Sequence, residues 1–105
     1  MAKKEVASLA TMVGTGEPWE VQGKNYTVKP LKLKDEPEFT GDQVNFGPQY
    51  FSLITPEERA KFDKWMSRYL FDEAGEPMNL EKATELDWDV ADLKEFWHRL
   101  VKISG

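Results

Sequence analysis

The chain has 105 residues, fourteen Lys and Arg against nineteen Asp and Glu, a formal net charge of −5 and 40% hydrophobic residues, the balance of one small globular domain rather than of a disordered chain. It has no cysteine and one histidine. Disulfides, thiolate metal sites, iron–sulfur clusters and cysteine nucleophiles are therefore excluded, as is any site that needs two histidines, which takes in most zinc chemistry.

Lys3 and Lys4 precede the short apolar run from Val6 to Val13. Glu5 interrupts it and no small-residue cleavage pattern follows, so it is not read as a signal peptide. No stretch approaches the roughly 20 apolar residues of a membrane span, and the protein is expected to be intracellular. Val6, Leu9, Ala10 and Val13 have helical spacing that ends at Gly14, but two turns are marginal alone. Residues 1–16 are read as a flexible or marginally helical segment, open to ordering on a partner, ahead of a single domain over residues 17–105.

The period then changes. Trp19 and Val21 alternate with Glu20 and Gln22, and Tyr26 and Val28 alternate with Thr27 and Lys29 across a turn that contains Gly23, which is a β-hairpin signal. Trp19, Tyr26 and Val28 are expected on one face, which must cover helices or join another sheet, because an isolated hairpin is marginal in water. Pro30 ends ladder donation. Asp35 is placed to cap a short helix over Glu36 to Phe39, with Pro37 in its first turn. Residues 40–54 are irregular and rich in aromatics, with one helical turn expected from Pro48 to near Ile54.

Thr55-Pro56-Glu57-Glu58 combines an N-cap Thr, Pro at the first helical position and Glu three residues after the cap. Phe62, Trp65, Met66, Tyr69 and Leu70 follow at i, i+3, i+4, i+7 and i+8, the stripe of an amphipathic helix. Asn79 is expected to cap a brief helix through Leu86, closed by Trp88. Asp89 is expected to cap a last helix with the stripe Leu93, Phe96, Trp97, Leu100 and Val101. The fold class is a small, mostly helical α+β domain with one N-terminal hairpin and three to four helices.

Candidate chemistry is sparse. His98 falls on the polar side of the last helix with no partner for general-base work. Asp87, Asp89 and Asp92 lack the glycine and distal glutamate of a calcium loop and are explained by capping and by the helix dipole. Gly14-Thr15-Gly16 follows no strand and lacks the downstream Lys-Ser or Lys-Thr of a phosphate loop. No catalytic, cofactor or metal site is expected, and the chain is not read as an enzyme. Lys24, Lys29, Lys32 and Lys34 form an acid-free run, whereas residues 72–95 hold nine acids against two lysines. A nucleic-acid strip is opposed by the net charge; an acidic protein that mimics nucleic acid is the alternative this asymmetry suggests. Phe46, Tyr50 and Phe51 sit in the irregular region, where a domain this small is not expected to bury all three. Exposed aromatics anchor protein interfaces, so protein binding is the function the residues favour.

The run Gly23-Lys24-Asn25-Tyr26-Thr27-Val28-Lys29-Pro30-Leu31-Lys32-Leu33-Lys34-Asp35 resembles the opening of small tail assembly chaperones of long-tailed bacteriophages and prophages. There a hairpin of the pattern Gly-Lys-x-Tyr-x-Val-x-Pro-Leu leads into helices. Phe71 to Met78, Trp88-Asp89-Val90 and a final helix ending Ser104-Gly105 are similar to the later part of such proteins, so the likeness runs over residues 18–105. The resemblance implies a non-enzymatic protein of the host cytoplasm, absent from the mature virion. Its partners would be the tape measure protein and the tail tube protein, with self-association open and no nucleic acid, membrane or cofactor. Phe46, Tyr50 and Phe51 are the expected partner-binding residues, with the segment around Leu9 and Val13 folding over them. A small virion structural protein, such as a head–tail connector or tail terminator, is the other alternative.

Overall fold

A computed structural model describes residues 16–104 of the chain; Leu9 and Val13 lie outside them. Strands β1 (Glu17–Val21) and β2 (Lys24–Val28) form the expected hairpin, with Trp19 opposite Tyr26 and Val21 opposite Lys24. The two turn residues, Gln22 and Gly23, have φ of 53° and 81°. Positive φ at both positions is the type I′ geometry whose twist matches paired strands. Gln22 is strained there, and its Nε2 donates to the backbone carbonyl of Asp87 at 3.2 Å. Period-2 alternation puts Trp19, Val21, Tyr26 and Val28 on one face, and all four are buried.

The hairpin does not stand alone. A short third strand, β3 (Leu70–Phe71), pairs with β2 so that Val28 faces Leu70 and Thr27 faces Phe71. Lys29 N–H also donates to the Tyr69 carbonyl at 2.9 Å. Leu70 is thus not the last residue of a helical stripe. Its backbone is extended at φ −124° and ψ 125°, where the preceding helix ends. An apolar residue at i+8 fits a helix stripe and a strand equally well, which is why the spacing alone misplaces it.

Helix α1 (Glu36–Asp42) is a turn longer than its sequence signal and is flanked by 3₁₀ turns at Leu33–Asp35 and Gln43–Asn45. Asp35 does not cap it with its side chain. Its carboxylate instead accepts from the Tyr69 hydroxyl and pairs with Arg68. The Tyr69 hydroxyl also accepts from Lys32 N–H at 3.1 Å, so one buried phenol ties the β2–α1 connection to the next helix. Burial, and then the hydrogen bond to Asp35, push the Tyr69 hydroxyl up to about 12.

Helix α2 (Pro56–Tyr69) begins with the predicted capping box: Thr55 Oγ1 accepts from Glu58 N–H and Glu58 Oε1 accepts from Thr55 N–H, both at 3.1 Å. Phe62, Trp65, Met66 and Tyr69 form its buried stripe. Helix α3 (Leu80–Glu85) is capped by Asn79, whose Oδ1 accepts from Lys82 N–H at 2.8 Å. It closes in a Schellman arrangement: Trp88 N–H reaches the Ala83 carbonyl and Asp87 N–H the Thr84 carbonyl. Asp87, at φ 60°, takes the left-handed position usually given to glycine. Trp88 then packs edge-on against Trp19 and Tyr26, at 5.6 and 5.1 Å between centroids.

Helix α4 (Val90–Ser104) starts from a reciprocal box in which Asp89 and Asp92 each accept from the other's N–H at 2.9 Å. Capping therefore accounts for all three aspartates of the acidic cluster, two at the start of α4 and one at the end of α3. Leu93, Phe96, Trp97 and Leu100 are buried, but Val101, expected in the core, is 37% exposed. The result is a small α+β domain, a three-stranded antiparallel sheet and four helices around an aromatic core. Among the described residues no helix is long and apolar enough to cross a membrane.

Candidate protein-binding groove

The segment between α1 and α2 is where the structure departs most from the sequence reading. No helical turn follows Pro48. Phe46 and Phe51 instead face each other across an antiparallel bridge, held by Ser52 N–H donating to the Asn45 carbonyl at 3.0 Å. Glu58, at the start of α2, gathers this segment. Its carboxylate accepts from Ser52 Oγ at 2.8 Å and Asn45 Nδ2 at 3.4 Å, besides the capping bond from Thr55. The Thr55 backbone bond, with the Ser52 and Thr55 hydroxyls, holds the Glu58 carboxyl below its ordinary value. Arg59 adds a bond to the Leu53 carbonyl at 3.3 Å. Polar bonds thus anchor one side of the segment to α2, while its aromatic side faces α4.

The three aromatics of this segment have different fates. Phe46 is a core residue, 2% exposed, with its ring 4.8 Å from Trp97, 5.2 Å from Phe62 and 5.7 Å from Phe51. It is not a free anchor, because the bridge turns it inward over α2 and α4. Phe51 is half-buried against Phe46 and Phe62. Tyr50 is 57% exposed. A sequence read without the bridge cannot tell which of these neighbours points inward.

Between this segment and α4 lies a groove of about 400 Å³. Phe46, Pro48 and Phe51 line one side, Trp97 and Val101 the other, and the exposed Lys94 and His98 complete it. Two of the three expected partner-binding aromatics, Phe46 and Phe51, come together here, and Tyr50 is not part of the lining. Trp97, Val101 and Lys94 belong to the groove and were not signalled. Trp97 and Val101 carry the i, i+3, i+4 periodicity of a core stripe, and only the position of the neighbouring loop reveals that the stripe's edge is uncovered. Trp97 stacks on Phe39 and Phe62, and its buried Nε1 has no acceptor among the described residues.

Two other clefts carry charged side chains. A cleft of about 360 Å³ between the hairpin turn and α3 mixes Lys24 and Lys82 with Asp72, Glu73 and Glu85. Another, of about 330 Å³, joins Lys32, Lys34 and Arg68 to Asp35 and Tyr69. Lys29 lies over the Phe71 ring, 4.5 Å from its centroid. The lysine run is thus divided among separate surroundings. No group of three or more acidic or histidine side chains able to hold a metal ion occurs among the described residues.

Among the described residues, strand β1 is an edge of the sheet with no strand on its outer side. Its register and two-residue turn make Val21 with Lys24, Trp19 with Tyr26 and Glu17 with Val28 the hydrogen-bonded pairs. The outward backbone groups are therefore those of Pro18 and Glu20. Pro18 has no N–H, and Glu20 brings a charge to the edge. Both features oppose strand addition. No protein-family model, curated protein or solved structure matches this chain.

Proposed function

We propose that this chain is a protein-binding domain of the tail assembly chaperone kind. In this reading it holds the apolar face of a tape measure helix, or of a tail tube subunit, soluble in the host cytoplasm until the tail assembles. The observation that carries the reading is the apolar groove beside α4, together with the resemblance over residues 18–105. Before assembly, a long client helix exposes an apolar stripe that aggregates unless covered. A groove walled by Phe51, Pro48 and Val101 over a floor of Phe46 and Trp97 suits a helix laid along it. Val44, Tyr50 and Ile54, close to it along the chain, are exposed as well.

The test is co-expression with the tape measure protein of the same gene cluster, followed by pull-down at low and high salt. A soluble complex that persists at high salt is expected, because burial of apolar surface does not depend on charge. A tape measure protein that remains insoluble and unbound overturns the proposal.

A further inference from the structure

The groove carries a charge pattern that apolar contact alone leaves unused. Lys94 and His98 line it, and Lys102 stands exposed one turn beyond His98 on α4. The spacing i, i+4, i+8 sets these three basic side chains in one row. No carboxylate lines the groove, in a chain with nineteen acids. Four cations are matched elsewhere, Lys61 and Lys64 with Asp42, Arg68 with Asp35 and Glu38, and Arg99 with Glu17 and Glu95, whereas Lys24, Lys29, Lys32, Lys34, Arg59 and Lys82 have no ion pair among the described residues. Lys94 and Lys102 have no ion-pair partner among the described residues. The nearest acids on α4 are already engaged, Asp92 in the N-terminal box and Glu95 with Arg99. The Lys94 ammonium lies over the Phe51 ring, 5.8 Å from its centroid, which keeps the charge beside the groove.

We propose that the occupant is an amphipathic helix whose apolar stripe is flanked, on the side facing α4, by carboxylates about two turns apart. This rests on the protein-binding reading above and adds the partner's charge and register. Lys94 and Lys102 are separated by about 12 Å along the helix axis at 1.5 Å per residue. A helix lying within about 20° of α4 meets both with acids at i and i+7 or i+8. The opposite side, with Gln43, Gly47 and Pro48, is uncharged, so the row also tells the two flanks of the bound helix apart.

The test uses a yeast-displayed library of 20-residue helices, each with a fixed apolar stripe and flanks randomised among Glu, Lys and Gln, sorted on the full-length chain. Three forms of the chain serve as bait: the parent, a Lys94→Glu/Lys102→Glu double variant, and Val101→Asp, which charges a groove wall at a partly exposed position. The parent is expected to enrich acidic over basic flanks by about 2- to 30-fold, the range for two exposed ion pairs. The double variant is expected to reverse that preference. Equal enrichment of acidic and basic flanks, with binding lost in Val101→Asp, overturns the charge inference and leaves the groove reading standing. Enrichment on the parent no greater than on Val101→Asp overturns the groove reading, and the inference with it.

Discussion

Phe46 and Tyr50 are four residues apart in one irregular segment, and their removal should have consequences of very different size. The Phe46 ring is 2% exposed and lies within 6 Å, centroid to centroid, of Trp97, Phe62 and Phe51. Phe46→Ala removes the ring from between two helices whose backbones cannot collapse onto the gap, and should cost about 3–5 kcal/mol. A domain of this size has roughly 5–13 kcal/mol in all, so the variant loses a large share of its stability. Its Tm should fall by about 12–40 °C at 4–8 °C per kcal/mol. Tyr50, 57% exposed, should cost no more than about 0.5 kcal/mol when changed to Ala. Urea unfolding followed by tryptophan fluorescence measures both, since Trp97 touches Phe46 directly. A Phe46→Ala protein within 1 kcal/mol of the parent would refute the inward placement of that ring, and with it the floor of the groove.

The remaining predictions concern the polar ties. Glu58→Ala should lower Tm by a few degrees and speed hydrogen exchange at Ser52 and Thr55 N–H, because the loop loses its anchor on α2; unchanged exchange would separate the loop from Glu58. Since the Glu58 carboxyl is held below its ordinary value, its contribution is present above about pH 4.5 and is lost as pH falls through the lowered value; acid titration of the parent against the variant shows it. The Tyr69 hydroxyl is raised to about 12, so its contribution is complete below about pH 10 and disappears as pH climbs from 10 to 12. Tyr69→Phe should cost about 1–2 kcal/mol near neutrality and flatten that alkaline loss in denaturation curves. Asp87→Gly should stabilise by about 0.5–1 kcal/mol, because the left-handed closure of α3 needs no Cβ, and differential scanning calorimetry reads the rise.

The parts legible in the sequence are those where local chemistry and tertiary structure agree. Thr55 and Glu58 form a capping box, Asn79 caps α3, and Trp19 with Tyr26 share a buried face, because each signal is complete within a few residues. The misread parts depend on contacts distant along the chain. Leu70 leaves its helix because Val28, 42 positions earlier, offers a strand to pair with. Asp35 gives up its capping role because Tyr69 and Arg68 bring a hydroxyl and a cation to it. Val101 keeps the core spacing but lies past the last residue that the 43–51 segment covers. The groove was half legible for the same reason: aromatics in an irregular stretch mark an unusual segment, but only the bridge between Phe46 and Phe51 decides which of them faces in.

That division constrains how the groove can be used. Its floor, Phe46 and Trp97, is also the junction of α1, α2 and α4, since Trp97 stacks on Phe39 from α1 and Phe62 from α2. On the proposed reading an occupant therefore meets a surface as rigid as the core beneath it, and the ordering cost of binding falls on the partner rather than on this chain. The 43–55 segment is the wall not built from an α-helix, and its polar ties to α2 run through Glu58 and the Arg59 bond to the Leu53 carbonyl. Widening the groove for a bulkier partner means releasing those bonds, whereas changing α4 means disturbing the core. Selection for a new partner should accordingly alter residues 47–55 and the exposed row of Lys94, His98 and Lys102, and leave Phe46 and Trp97 in place.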